Sequence, residues 1–69
     1  MTIREKLETI KTNKKHRTFI LIKNKNNETE AVVPLSFKNV ITDKLDKEFT
    51  SFKKETDQFI KETVLSFTI

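Results

Sequence analysis

Residues 17–35, RTFILIKNKNNETEAVVPL, carry the clearest structural signal in the chain. The first seven residues are mostly β-branched or aromatic and too few for a helix core, which predicts a strand over 17–23. The asparagines of residues 24–28 supply the backbone conformations that a tight turn requires. Residues 29–35 then predict the return strand of a β-hairpin. Pro34 is expected at its end or on an outer edge, because proline cannot donate a ladder hydrogen bond.

Both faces of the first predicted strand are apolar. Phe19 and Leu21 share one face, and Ile20 and Ile22 share the other. Apolar residues on both faces are typical of a strand that is covered on both sides. We therefore expect this strand to be covered on both sides.

The segment before the hairpin predicts a helix over 2–13. Thr2 and Glu5 have the spacing of a capping box, and three apolar residues then recur at helical spacing. Asn13 is predicted to end this helix, because asparagine tolerates the left-handed backbone that often follows a helix.

The segment after the hairpin predicts one long helix from Ser36 onwards, spanning about 38–62, with Ser36 or Thr42 as its cap. Its apolar residues lie on a single stripe at a spacing of 3.6 residues. The stripe consists of Ile41, Leu45, Phe49, Phe52, Phe59, Thr63 and Phe67.

The C-terminal run TVLSFTI, residues 63–69, allows two interpretations. It could form a third strand or the last turns of the helix, and its poor helix formers favour the strand. The predicted fold class is therefore α+β. One small domain over 1–69 has a helix, a β-hairpin, a long helix and a C-terminal third strand, in the order α-β-β-α-(β).

The composition excludes several classes of function. The chain has 69 residues, no cysteine, no glycine and one histidine. Disulfides, thiolate or multi-histidine metal sites and glycine-dependent phosphate loops cannot form, so we expect no metal and no cofactor. The N-terminus does not resemble a signal peptide and no apolar run could span a membrane, so a cytoplasmic protein with no membrane partner is expected. Abundant Lys, Asn and Ile indicate AT-rich codons and hence a low-GC bacterium, its phages or its plasmids.

The net charge of +4 is unevenly placed. Residues 1–27 hold eight basic and two acidic side chains, whereas residues 28–69 hold six basic and eight acidic ones. One interpretation is binding to DNA or RNA phosphates, and the other is simple solvation of an edge strand. The candidate contacts to nucleic acid or another anionic partner are Lys11, Lys14, Lys15, His16, Arg17, Lys23 and Lys25.

His16 is the one candidate general base, although no residue that would orient it is evident. A small basic chain with helix, hairpin, helix and a histidine entering the first strand resembles the HicA-type toxins. These are RNA-cleaving proteins with a double-stranded-RNA-binding-like fold, and the comparable stretch is KKHRTFILIKNKNNETEAVVPLSFKN, residues 14–39. The family's histidine lies in a Gly-Ser-His-His context, whereas this chain has Lys-Lys-His-Arg. The resemblance implies ribonuclease activity in which only His16 would carry over.

The phenylalanine stripe predicts a protein interface. A helix over 38–62 is about 37 Å long, whereas seven-residue strands cover only about 24 Å of it. The surplus apolar surface, at Phe49, Phe52, Phe59 and Phe67, needs a partner such as a second copy in a homodimer or another protein. The favoured hypothesis is a small non-catalytic interaction protein from a phage or mobile element. It would modulate or inhibit a host protein or protein–nucleic-acid complex, such as a defence or replication factor. The alternatives are a nucleic-acid-binding regulator and a HicA-like ribonuclease.

Overall fold

The strand predicted over 17–23 is confirmed in the computed structural model, which describes residues 1–12 and 14–69. This strand, β1 (Arg17–Lys23), pairs in antiparallel fashion with β2 (Thr29–Pro34). The two strands and their connection are called the first hairpin below.

The turn of the first hairpin uses asparagine where other proteins use glycine. Asn27 adopts a positive φ of 65°. The Asn24 Oδ1 accepts hydrogen bonds from the backbone N–H groups of Asn26 at 2.9 Å and Glu28 at 3.1 Å. The short polar side chains therefore supply both the unusual backbone geometry and the hydrogen bonds of the turn.

The long helix predicted from Ser36 is wrong. The chain instead forms a 3-10 segment (Leu35–Ile41), a single helical turn α2 (Thr42–Leu45) and two further strands, β3 (Ser51–Asp57) and β4 (Glu62–Thr68). Neither Ser36 nor Thr42 caps a helix through its side chain. The stretch that forms β3 has one large apolar side chain, so as a helix it would bury little surface. As a strand, it provides hydrogen-bond partners for the backbone of β4 along the whole length of β4.

The C-terminal residues form a strand, but not the third strand of the predicted order. The third strand is β3, which pairs with β4 as a second antiparallel hairpin. β4 also pairs with β1, and this pairing is parallel, from Arg17 opposite Glu62 to Lys23 opposite Thr68. β3 and β4 with their connection are called the second hairpin below.

The sheet is mixed, with the strand order β2-β1-β4-β3 across the described residues. Its two inner strands are the parallel pair β1 and β4, and each outer strand is the hairpin partner of the inner strand beside it. The parallel pair joins two segments that are far apart in the sequence, and it unites the hairpins into one sheet.

The core lies on one face of this sheet, called the core face. Ile20 and Ile22 of β1 are fully buried there, as are Leu65 and Phe67 of β4. The helix α1 (Ile3–Thr9), the 3-10 segment and α2 pack on the same face. They contribute the other buried apolar side chains of the core cluster, Ile3, Ile41 and Leu45.

The helix α1 is shorter than the predicted 2–13, because it ends at Thr9; Asn13 lies outside the described residues. The predicted capping box is confirmed. The Thr2 backbone N–H donates to Glu5 Oε1 at 2.9 Å, and the Glu5 N–H donates to Thr2 Oγ1 at 3.2 Å. The bond from the Thr2 backbone lowers the pKa of the Glu5 carboxyl, because it stabilises the charged form.

Arg4 ties α1 to the segment that follows α2. Its Nε donates to Asp46 Oδ1 at 2.8 Å, and this bond raises the pKa of the guanidinium further. Both side chains are largely exposed, so the ion pair orients the helix more than it stabilises the domain.

The opposite face of the sheet, called the open face, carries no helix among the described residues. The expectation that β1 is covered on both sides is therefore wrong. Phe19 and Leu21 are only half-buried, and Val32 is 57% exposed. None of the three belongs to the core cluster.

Candidate functional site

The basic residues of 11–27 do not form one surface. Lys11, Lys14 and Lys15 precede β1, and Arg17 begins it, whereas Lys23 ends β1 and Lys25 lies in the following turn. Seven residues of strand separate the two groups by about 20 Å. The structure therefore divides the predicted phosphate-binding segment between opposite ends of the sheet.

The end of the sheet where β1 begins is called the basic end. It contains a cleft of about 600 Å³ beside the start of β1 and the end of β2. Lys14, His16 and Arg17 line it together with Phe19 and Pro34. The cleft therefore combines cationic and apolar walls in a volume typical of small-molecule sites.

His16 is partly buried in this cleft, and its Nδ1 atom has no hydrogen-bond partner among the described residues. A catalytic histidine needs a neighbouring group that fixes its tautomer and orientation. No carboxylate is among the described residues that line the cleft. The geometry thus adds no support for the ribonuclease hypothesis, which remains a prediction.

The open face has an apolar centre. Phe19 and Leu21 of β1 lie beside Val64 of β4, and beside Pro34 and Val32 of β2 on the other side. These residues come from three adjacent strands, so their side chains form one continuous surface. An exposed apolar surface of this kind is the usual mark of a binding site.

The rim of the open face is charged unevenly. Glu55, Asp57 and Glu62 lie together where the second hairpin turns, and Glu55 pairs with Lys53 at 3.1 Å. Lys23 lies at the opposite end of the face. The apolar centre is therefore bordered at one end by an acidic corner of three carboxylates, with Arg17 beside Glu62, and at the other end by Lys23.

The four phenylalanines of the predicted interface have different positions. Phe67 is fully buried, and Phe49 and Phe52 are half-buried against it, with ring centroids 5.1 Å and 4.9 Å from its ring. Phe59 is 97% exposed. The first three form part of the domain's own core, and of the four only Phe59 presents its whole side chain to a partner.

Phe59 and Ile60 lie in the turn of the second hairpin. Asp57 Oδ1 accepts hydrogen bonds from the backbone N–H groups of Phe59 at 2.9 Å and Ile60 at 3.3 Å. The turn ends at Lys61, which has a positive φ of 53°. Two exposed apolar side chains are thus held on an ordered turn at the acidic corner of the open face.

A second cleft of about 500 Å³ connects this turn to the open face. Phe59 and Ile60 line it together with Val64 and the acidic residues of the corner. The apolar surface of the turn is thereby continuous with the apolar centre of the sheet.

Sequence reasoning missed Val32, Val64 and Ile60 as surface residues. The signal for Val64 was available, because residues 62–68 alternate between the two faces of a strand. The helical stripe drawn through the same residues obscured that alternation. No local feature of the sequence indicates that the described helices would cover only one face of the sheet.

Neither a cluster of metal ligands nor a membrane-spanning helix occurs among the described residues. No group of three or more histidine, cysteine, aspartate or glutamate side chains is placed to hold a metal ion. No helix within residues 1–12 and 14–69 is long and apolar enough to cross a membrane.

The chain matches no protein-family model, no curated protein and no solved structure. The resemblance to HicA-type toxins therefore gains no support, and the second long helix that it implies is absent from the described residues.

Proposed function

We propose that this chain is a small non-catalytic interaction protein that binds a host protein through its open face. The observation that supports the proposal most directly is the apolar centre of that face, which no described helix covers. Phe19, Leu21 and Val64 belong to the two inner strands, where a sheet normally gains most from burial. A partner would supply the missing cover.

The energetic argument depends on the size of the domain. A chain of this length buries only about 60% of the surface that its unfolded form exposes, so each apolar residue left in water is a large loss. Full burial of one such side chain contributes about 1.5–3 kcal/mol. The apolar side chains of the open face therefore contribute little to the stability of the isolated domain and much to the stability of a complex.

The charged rim defines the chemistry of the partner. Arg17 lies opposite Glu62, so the acidic corner favours a basic group at its outer side, around Asp57 and Glu55, and Lys23 at the other end favours an acidic one. We expect the partner to present an apolar patch flanked by charges in that order. Such complementarity directs orientation and selectivity more than it adds affinity.

The area of the open face favours a larger partner over a second copy. Four strands of about seven residues span roughly 19 Å by 23 Å, a footprint of roughly 440 Å². Specific interfaces bury about 800 Å² of accessible surface on each partner, a quantity larger than the planar footprint of the same patch. A second flat copy would cover the sheet but leave Phe59 and Ile60 in water, whereas a concave partner would cover the sheet and these two side chains.

The biological setting is part of the proposal. The Lys, Asn and Ile content of the chain indicates AT-rich codons. This composition favours a phage or other mobile element of a low-GC bacterium, with the protein acting in the host cytoplasm. A small binder of this origin would modulate or inhibit a defence or replication factor.

The test uses two matched valine substitutions. Val32 lies on the open face and is 57% exposed, whereas Val40 lies in the 3-10 segment and is 73% exposed. The tagged protein is expressed in a low-GC bacterium, the partner is identified and purified, and its affinity is titrated by calorimetry. Val32→Lys should weaken binding at least tenfold, and Val40→Lys should leave it within threefold.

Three results would contradict the proposal. The first is equal binding by the two variants. The second is a dimer in sedimentation equilibrium that Val32→Lys dissociates, because a second copy would then occupy the open face. The third is a monomeric protein for which no host partner can be purified.

A further inference from the structure

We infer that the cleft at the basic end binds a nucleoside phosphate. This site borders the apolar centre of the open face and shares Phe19 and Pro34 with it, but the inference does not depend on the proposed docking function. The cleft has a volume of about 600 Å³, within the range of known small-molecule sites. Its walls contain the three kinds of group that a nucleotide needs.

The first kind is positive charge. Lys14 and Arg17 both line the cleft, and neither forms an ion pair in the part of the chain that the structure describes. No acidic side chain is among the described lining residues. Glu62 lies opposite Arg17 in the strand pairing but does not line the cleft, so the charged groups of the lining itself are cationic and suited to a phosphate.

The second kind is a set of hydroxyl groups. Thr12, Thr18 and Ser36 line the same cleft. Hydroxyls donate hydrogen bonds to phosphate oxygens and accept them from ribose hydroxyls. They come from three segments: the loop before β1, β1 itself and the 3-10 segment. The fold thus brings these groups together from different parts of the chain.

The third kind is an apolar wall. Phe19, Pro34 and Leu35 complete the lining. The flat surfaces of an aromatic ring and a proline are suited to a nucleobase, which binds proteins largely by stacking. An inorganic phosphate would use only the cations and hydroxyls, so the apolar wall favours a ligand with a planar body.

His16 provides an independent indication of a ligand. Its Nδ1 atom is buried, yet it has no hydrogen-bond partner among the described residues. A buried polar atom without a partner is unfavourable and is rare in folded proteins. A base or ribose group of the bound nucleotide would supply the missing hydrogen bond.

The ligand could be a free nucleotide or the phosphorylated end of a nucleic acid strand, because both present the same chemistry. Calorimetric titrations would compare AMP, GMP, CMP and UMP with adenosine and inorganic phosphate. A parallel series would use short single-stranded RNA with a 5′-phosphate or a 5′-hydroxyl. At least one mononucleotide or 5′-phosphorylated RNA should bind at least tenfold more tightly than adenosine or phosphate. Preference for the 5′-phosphorylated RNA identifies a strand end, and preference for the mononucleotide identifies a free nucleotide.

Matched charge variants test the location. Lys14→Gln should weaken nucleotide binding at least tenfold. Lys23→Gln removes the same charge at the far end of β1 and should change the affinity less than twofold. Equal weakening by the two variants would reveal only general electrostatic attraction, and the inference would then be wrong.

A substitution at His16 separates binding from stability. His16→Leu removes the buried unpaired nitrogen, so the melting temperature should stay level or rise while nucleotide affinity falls at least tenfold. A variant that melts as expected but binds as tightly as the original protein would overturn the assigned role of His16. Absence of saturable binding by every phosphorylated probe at millimolar concentration would overturn the site itself. The host-protein titration with Val32→Lys is unaffected by either result.

Discussion

The two hairpins of the sheet differ in how clearly their local sequences predict them. The first hairpin has an apolar strand and a turn built from asparagines, and both features are evident in residues 17–28. The second hairpin begins with β3, whose members are mostly charged and exposed. Its turn contains Phe59 and Ile60 instead of the usual turn residues. A strand can thus be specified by the strand beside it even when its own residues resemble a helix surface.

The most destabilising substitution that we predict distinguishes the second hairpin from the long helix predicted from the apolar stripe. On one helical stripe Phe59 and Phe67 would be equivalent, but the structure places Phe67 at 0% exposure and Phe59 at 97%. Phe67→Ala should reduce the free energy of unfolding by about 3–5 kcal/mol, which is most of the stability of a small domain. Phe59→Ala should change it by less than about 0.5 kcal/mol.

Urea unfolding followed by circular dichroism measures both variants. Equal destabilisation by Phe59→Ala and Phe67→Ala would contradict the second hairpin as described.

The next effect compares the side chains that hold the two turns. Asn24 and Asp57 each accept two backbone hydrogen bonds in their respective turns. Asn24→Ala and Asp57→Ala should each lower the free energy of unfolding by about 1–3 kcal/mol, because each removes two bonds worth roughly 0.5–1.5 kcal/mol apiece. Thermal melts of the two variants provide the measurement. If Asp57→Ala keeps full stability and Asn24→Ala does not, the turn of the second hairpin does not depend on these bonds.

A smaller effect concerns the left-handed residue of each turn. Lys61 has a φ of 53° and Asn27 a φ of 65°. The left-handed backbone region is unfavourable for lysine by about 1–2 kcal/mol, whereas asparagine tolerates it better. Lys61→Gly should therefore raise the free energy of unfolding by up to about 1 kcal/mol, after the greater freedom of glycine in the unfolded chain is subtracted.

Asn27→Gly serves as the control and should be close to neutral. Destabilisation by Lys61→Gly would indicate that the lysine side chain contributes more than its backbone strain costs.

The smallest effect concerns the capping box, which like the first hairpin is encoded locally. The hydrogen bond from Thr2 lowers the pKa of Glu5 in the folded protein below its unfolded value. The stabilisation is therefore complete above the unfolded pKa of the carboxyl and is lost as the pH falls through the folded pKa.

Stability curves of the original protein and Glu5→Gln should converge as the pH falls through that window. A constant difference between the two curves across it would exclude a charge-dependent contribution from Glu5.

The proposed functional surfaces also combine features that the sequence predicts with features that depend on the fold. The positive charge of residues 11–27 was evident from composition, but its separation into two ends follows from the length of β1. His16 and Arg17 could be singled out in the sequence. Their position beside Ser36 and Pro34 in one cleft could not be predicted, because Pro34 belongs to β2 and Ser36 to the 3-10 segment.

The capping box, the first hairpin and the α+β class could all be predicted from the amino-acid sequence. In each case the residues that interact lie within a few positions of one another, so local preferences are enough to specify the structure. The parallel pairing of β1 with β4, the strand character of β3 and the uncovered open face became evident only in the folded domain. These features depend on contacts between distant segments, and a helical spacing of apolar residues cannot reveal which strand lies beside them.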